Sequence, residues 1–292
     1  MENKIEGIHI SESEIAKTCR VKVYPDCTCE VMASEKPIFR ASGWEDEKPM
    51  VSNKTDRSSP SAEALERSRR RAIARIRDYA LCSDFEWFVT LTLSPDQIDR
   101  HDYDAAVKKL GIYCSNRVQR HGLRYVIVTE KHKDGALHFH GFMAGLPLSE
   151  FAPSGTYTGG IAGEKPKRPR SAAELAAWTE GGAHEVYNLT SWRLGFTTAV
   201  LLERDYRRAI TYVSKYIRKA PEKVGGRWYL SGGALKLPVV YTLDVPITTV
   251  QTMPDAYTFD VPGCGYSIWR GKTEQAAALL ADADIKTSLS DL

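Results

Sequence analysis

The chain has 292 residues, an apolar fraction of 42% and a net charge of only +3, enough apolar material for one large domain or a medium domain with extensions. No run approaches the roughly 18 apolar residues that a bilayer-crossing helix needs, and the opening MENKIEGIHISESEIAK has acidic residues where a signal peptide has its apolar core, so a membrane or secreted protein is not expected. The six cysteines (Cys19, Cys27, Cys29, Cys82, Cys114, Cys264) show no CxxC spacing; they read as ordinary thiols of a reducing cytosol, with Cys19, Cys27 and Cys29 as the one trio spaced for zinc.

In chain order, residues 1–60 are polar and mixed, with a strand near 20–24, and read as a partly ordered N-terminal arm. Residues 61–81 turn helical, with Leu65, Ala72, Ile73, Ile76 and Ala80 near 3.6 spacing and Ser61 as the N-cap. WFVTLTLSP (residues 87–95) is β-branched and aromatic and ends in Ser-Pro, which predicts a strand. A second helix over 103–121 stops at Gly122. Residues 124–130 and 138–144 predict two neighbouring strands. Residues 146–185 are rich in Gly, Pro and charge and read as an insertion or long loop around a short helix at 172–178. A strand at 196–202 and a helix over 205–219, ended by Pro221, follow; the tail holds short strand-like runs, 239–243 the clearest, and a late alanine-rich helix. Strands joined by short links predict an α+β fold, an antiparallel sheet with helices on one side. The expected division is an arm (1–60), a main domain (61–245) and a C-terminal extension (246–292).

The segment TEKHKDGALHFHGF (residues 129–142) is the most informative. On a strand, side chains alternate faces, so His138 and His140 point one way, roughly 7 Å apart, and Phe139 anchors the other face. A two-residue Asp134-Gly135 turn would set Glu130 opposite Phe139. A three-residue Lys133-Asp134-Gly135 turn, with Gly135 left-handed, sets Glu130 opposite His138; the glycine in the last loop position favours the second. Glu130, His138 and His140 then share a face, two imidazoles and a carboxylate suited to Mg²⁺ or Mn²⁺ with positions open for water and a phosphate oxygen. His132, on the turn side, is expected to face solvent.

In YRRAITYVSKYIRK (residues 206–219), Tyr206, Ile210, Val213 and Ile217 form an apolar stripe at 100° per residue. Tyr212, Lys215, Tyr216 and Lys219 gather on the opposite side, beside Arg208. Tyr212 and Tyr216 are i, i+4 neighbours whose hydroxyls can reach one phosphate, and nearby cations favour charge on phenolate and phosphate. A tyrosine can attack a phosphodiester, stay bound to the 5′ phosphate and leave a 3′ hydroxyl, with a metal polarising the phosphate.

FVTLTL, then HFHG, then YVSKYIRK, in that order, resembles the three-motif series of the HUH endonucleases (histidine, hydrophobic residue, histidine), and more narrowly rolling-circle replication initiators. The Tyr-x-x-Lys-Tyr pattern is similar to the gene A replication proteins of small single-stranded DNA phages and related bacterial elements. The resemblance spans about residues 85–220. It implies a five-stranded antiparallel sheet with the metal histidines on a central strand, alternate action of Tyr212 and Tyr216 in initiation and termination, and a phosphate-positioning Lys215. It also implies a metal site completed by Glu130, with Thr90 and Thr92 shaping the site without touching the ion. Single-stranded origin DNA, a host helicase and a host polymerase are the implied partners, in the cytoplasm of a bacterium carrying a phage or plasmid.

Further DNA contact is expected from the arginine-rich helix, through Arg70, Arg71 and Arg75, and from Arg208 and Lys219. KPKRPR (residues 165–170) is a second basic candidate, and the tryptophans Trp87, Trp178, Trp192 and Trp228 are more often core than base platforms. GYSIWRGKT (residues 265–273) has five residues between its glycines where a phosphate-binding loop has four, so no nucleotide cofactor is expected. Two rivals remain: a transposase or relaxase of the same chemistry, although relaxases place the tyrosine ahead of the histidines, and a non-catalytic single-stranded nucleic-acid binder.

Overall fold

The computed structural model describes residues 16–37, 39–40, 61–132, 134–159, 165–202, 206–261 and 263–281. In chain order the strands are β1 (Ala16–Lys17), β2 (Cys19–Val23), β3 (Thr28–Ser34), β4 (Phe39–Arg40), β5 (Trp87–Thr92), β6 (Arg124–Lys131), β7 (Leu137–Ala144), β8 (Phe151–Thr158), β9 (His184–Leu189), β10 (Thr197–Leu201), β11 (Tyr229–Gly232), β12 (Val239–Leu243), β13 (Tyr257–Val261) and β14 (Cys264–Lys272). The α-helices are α1 (Ala62–Cys82), α2 (Tyr103–His121), α3 (Ala172–Glu180), α4 (Tyr206–Lys219), α5 (Ile247–Gln251) and α6 (Ala277–Ala281). The chain divides into two compact units, residues 58–237 and residues 1–57 with 238–292. The architecture is α+β with antiparallel sheets.

The 58–237 unit is built on a sheet of order β11-β6-β7-β5-β10-β9-β8, antiparallel throughout. Two expectations need correction. The sheet that carries HFHG has seven strands rather than five. Residues 146–185 are not a loop around one helix: they supply β8 and β9, which extend the sheet beyond β10. The strand pattern is hidden there by Pro153, Gly155 and a bulge between Pro153 and Thr156, all of which break the alternation that sequence reading relies on. Helices also lie on both faces, not one. On the first face, α1 and α4 contribute Ala72, Ile76, Ala80, Ile210, Val213 and Ile217 to a core with Phe88, Val126, Val128 and Phe142. On the second, Ala106, Leu110 and Cys114 of α2 pack with Trp87, Val89, Leu91, Ile127 and Phe139. Residues such as Leu91, Leu110, Ile127 and Phe139 are fully buried, each worth about 1.5–3 kcal/mol in removal of apolar surface from water.

Local chemistry explains the helix ends. The Ser61 side chain accepts from the Ala64 amide at the start of α1, and Asp102 does the same for Ala105 at the start of α2. Gly122 closes α2 with φ 71°, its amide donating to Arg117 and Val118 carbonyls, a conformation that a side chain penalises. The glycine of HFHG has a different cause. A Cβ on Gly141 would lie 2.0 Å from the Val126 carbonyl oxygen, so β6 and β7 can approach at this point only without a side chain.

In the other unit, β2 and β3 from the arm and β12, β13 and β14 from the extension form one antiparallel sheet of order β12-β2-β3-β14-β13. Its core holds Cys19, Val21, Cys29, Val31, Leu243 and Trp269. Burial pushes the Cys19 thiol up to about 12, which keeps it protonated. Cys27 is exposed while Cys19 and Cys29 are buried, and among the described residues no three metal-binding side chains converge. GYSIWRGKT lies almost wholly within β14 as extended strand. Among the described residues no helix is long and apolar enough to cross a membrane.

Candidate active site

The hairpin sets the site. His132 donates its amide to the Ala136 carbonyl (2.8 Å), Gly135 donates to the His132 carbonyl (2.9 Å) and Gly135 has φ 85°. These bonds close a three-residue loop over 133–135, of which Lys133 lies outside the described residues. The register that follows pairs Glu130 with His138 and Val128 with His140. From the other side β5 pairs Thr92 with His138 and Thr90 with His140. Paired residues share a face, so Glu130, Thr90, Thr92, His138 and His140 all project from the face covered by α1 and α4, with β7 hydrogen-bonded on both sides.

His140 is the best-held member, its side chain 7% exposed. Its Nε2 lies 2.9 Å from Glu130 Oε2 and its Nδ1 3.1 Å from Thr90 Oγ1, so the ring bridges a carboxylate and a hydroxyl. Burial works to raise the Glu130 carboxyl, but the hydrogen bond from His140 and the charges of His140, His138 and His132 outweigh it, and the net shift is downward. His138 is half-buried; burial, then His132 and His140, pull its imidazole down and favour the neutral ring that metal ligation requires. His132 is exposed, as its place near the turn implies, yet its ring stacks on His138 with centroids 4.9 Å apart. The His138 and His140 centroids are 6.4 Å apart. Glu130 and His140 therefore converge, while His138 stands beside them on the same face.

Helix α4 brings the tyrosines to this face. The Tyr216 ring stacks on His140 at 4.2 Å and 7°, Tyr212 meets His140 edge-on at 6.4 Å, and the two phenol rings are 4.9 Å apart. One expectation is corrected here. The tyrosines do not lie on a solvent face opposite the apolar stripe: Tyr216 is buried with Ile210, Val213 and Ile217, and Tyr212 is half-buried against the same core and Phe88. The sheet curves under a wider arc of the helix than the four-residue stripe marks, and a phenol ring is apolar enough to join it. Burial, then a hydrogen bond with Tyr212, push the Tyr216 phenol up. Lys215 stays exposed, its Nζ 6.0 Å from the centre of the Tyr212 ring. Tyr206, assigned to the stripe, donates its hydroxyl to the Ala80 carbonyl and so ties α4 to α1. The first residue of the expected helix, Asp205, lies outside the described residues.

The basic residues separate into groups. Arg208, Lys215 and Arg218 border an open hollow with Arg207, Thr211 and Tyr212. Lys219 lines a smaller hollow of about 150 Å³ with Glu130, Lys131 and Tyr216. Arg71 and Arg75 are exposed and border a third hollow with Lys223 and Arg227, whereas Arg70 pairs with Glu66 at 3.2 Å. Arg69, not singled out in the sequence, is structural: its Nη2 donates to the Ala220 carbonyl at the end of α4 (3.0 Å) and its guanidinium covers Trp228. In KPKRPR, the Lys167 backbone bonds the Tyr157 backbone, fixing that stretch to β8. Trp87, Trp192 and Trp228 are buried. Sequence reasoning missed the Thr90–His140 contact and the place of Phe196, whose backbone is bonded to Thr92. Counting register outward from Thr92 would have found the second.

The three motifs thus meet on one face of one sheet. Residues 86–221 match the family model of the replication-associated protein ORF2. The matched stretch is just under half of the chain, contains the β5, β7 and α4 motifs, and supports a Rep-type replication initiator. No curated protein and no solved structure matches the chain.

Proposed function

We propose that the chain is a rolling-circle replication initiator of the HUH two-tyrosine type, which nicks single-stranded origin DNA through a tyrosine and later rejoins it. The observation that carries this reading is the stacking of Tyr216 on His140 with Tyr212 beside both, in a chain whose matched family is replicative. In the reaction a phenol oxygen attacks the scissile phosphorus, the P–O3′ bond breaks with its electron pair on O3′, and O3′ takes up a proton as the phenol gives one up. The 5′ phosphate stays on the tyrosine and the free 3′ hydroxyl serves as primer. Attack by a 3′ hydroxyl reverses the step and reseals the strand.

Tyr212 is the nucleophile best placed for the first cut. It borders the cation-lined hollow, while Tyr216 is buried and its proton is hard to remove. Lys215, beside the Tyr212 ring, steadies charge on phenolate and phosphate. The donor set of Glu130, His140 and His138 fits a Mg²⁺ or Mn²⁺ ion, and these residues would hold it. Such an ion would polarise the phosphate oxygen and orient the phosphate. Thr90 then serves as the outer partner that keeps the second nitrogen of His140 in place. Arg208, Lys219, Arg71, Arg75 and Arg70 offer phosphate contacts, in part from residues already paired. Unwinding and synthesis fall to a host helicase and polymerase, inside a bacterial cell that carries the element.

The test is a labelled single-stranded oligonucleotide pool incubated with the protein and Mn²⁺. The expected product is a denaturant-resistant, protease-sensitive adduct, weakened by Tyr212→Phe and lost in the double Tyr212→Phe, Tyr216→Phe variant. Adduct persisting in the double variant would refute the assignment; binding with no adduct on any origin-like sequence would favour a non-catalytic binder. Cleavage of transposon ends in preference to origins would move the same chemistry to a transposase.

A further inference from the structure

The least expected side chain on the catalytic unit is Phe196. It is 82% exposed, the most exposed of the large apolar residues described, so it contributes little to the core and keeps a full phenyl ring in water. Its backbone is nonetheless tightly held. The Thr92 amide donates to the Phe196 carbonyl (2.8 Å), the Thr92 hydroxyl donates to the same carbonyl (2.9 Å), and the Phe196 amide donates to the Thr92 hydroxyl (3.0 Å). The residue before it approaches just as closely: a Cβ on Gly195 would stand 2.3 Å from the Thr92 carbonyl oxygen. Trp192 adds a bond from its indole nitrogen to that same carbonyl (2.9 Å).

Register tells where this fixed ring projects. Thr197 pairs with Leu91, which puts Phe196 opposite Thr92; Thr92 pairs with His138 and His138 with Glu130. Phe196, Thr92, His138 and Glu130 are thus one row across four adjacent strands, all projecting from the same face. Strands lie about 4.8 Å apart, so Phe196 stands two spacings, about 10 Å, from His138. An apolar, rigidly mounted aromatic ring at that distance from a phosphate-handling site suits one kind of ligand: an unpaired nucleobase of the same strand, whose π-face it can cover whatever the base.

We infer that Phe196 is a stacking platform for a base adjoining the scissile phosphate, and that it fixes the strand's position over the His138–Glu130 row. This rests on the single-strand reading above but not on nicking. Because the Thr92 hydroxyl is spent on holding Phe196, Thr92 acts as a positioning residue for the platform and not as a phosphate ligand. The pre-set backbone means that little ordering cost is incurred on binding.

The test uses the full chain in metal-free buffer, where binding is read without cleavage, with single-stranded oligonucleotides carrying 2-aminopurine. Phe196→Ala should weaken binding about 5- to 150-fold, the range that loss of one base–aromatic stack gives, and should abolish 2-aminopurine quenching. Phe196→Trp should restore both; Phe196→Leu, apolar but not aromatic, should restore neither. The thermal melt should be unchanged in all three, since the ring is exposed. Wild-type affinity and quenching in Phe196→Ala would overturn the platform and leave the ring as a protein contact, even if adduct forms normally. Loss of affinity and quenching in a protein that never forms an adduct would uphold the platform and sink the nicking reaction instead.

Discussion

The glycine of HFHG gives the sharpest quantitative prediction. In Gly141→Ala the new methyl would sit 2.0 Å from the Val126 carbonyl oxygen, 2.7 Å from Ile127 Cα and 2.9 Å from the Val126 carbonyl carbon. All three are backbone atoms of β6, so no rotamer relieves the clash and the two strands must separate. Overpacking of this kind costs about 1–3 kcal/mol, and with backbone on the receiving side the upper half of that range applies. At about 2–4 °C per kcal/mol for a unit of this size, melting of the 58–237 unit should fall by roughly 5–10 °C. The same separation pulls Glu130 of β6 from His140 of β7, now 2.9 Å apart, so adduct formation should fall even at temperatures where the variant is folded. Gly111→Ala is the control. It lies in the interior of α2 with nothing within 4 Å of the new methyl, and helix propensity alone should raise stability by up to about 1 kcal/mol. Circular-dichroism melts and adduct yields read both. A Gly141→Ala protein that melts with wild type and forms adduct normally would refute the close-approach argument.

Thr90→Val removes the partner of His140 Nδ1 while keeping the shape. Loss of an outer partner of this kind typically costs about 10–100-fold in metal affinity or activity, so the Mn²⁺ concentration for half-maximal adduct should rise, and Thr90→Ser should restore it; an unshifted Mn²⁺ titration would remove Thr90 from the site. Arg208→Ala with Lys215→Ala should flatten the salt dependence of single-strand binding, by about 0.7 in the log–log slope for each phosphate left without its cation. Arg69→Ala should do the reverse: it should lower the melting temperature through the lost Ala220 bond and leave the salt slope alone.

Much of the site's backbone is legible in the sequence because local rules decide it. Ser61, Asp102 and Gly122 cap helices by short-range bonding, and Gly135 selects the three-residue turn that sets Glu130 opposite His138. What escapes sequence reading is non-local. Nothing in residues 146–185 announces that they add β8 and β9 to the sheet, since Pro153 and the bulge erase the alternation. The meeting of arm and extension in one sheet, with Val21 opposite both Tyr241 and Val31, joins strands more than 200 residues apart and leaves no local trace. The tyrosine helix misleads for a related reason. Helical spacing identifies a stripe, but the width of that stripe depends on the curvature of the sheet it meets, and so spacing alone assigns Tyr216 to solvent when it is buried against His140.

The central claim is that the α4 tyrosines and the β6–β7 acid and imidazoles act on one phosphate. Tandem mass spectrometry of the protease-digested DNA adduct tests it most directly. The nucleotide-modified peptide should come from α4, with the mass carried on Tyr212 or Tyr216 and a 5′ phosphate as the link, and it should vanish in His140→Ala. A nucleotide found on any other residue, or adduct formed equally well without His140, would contradict the account.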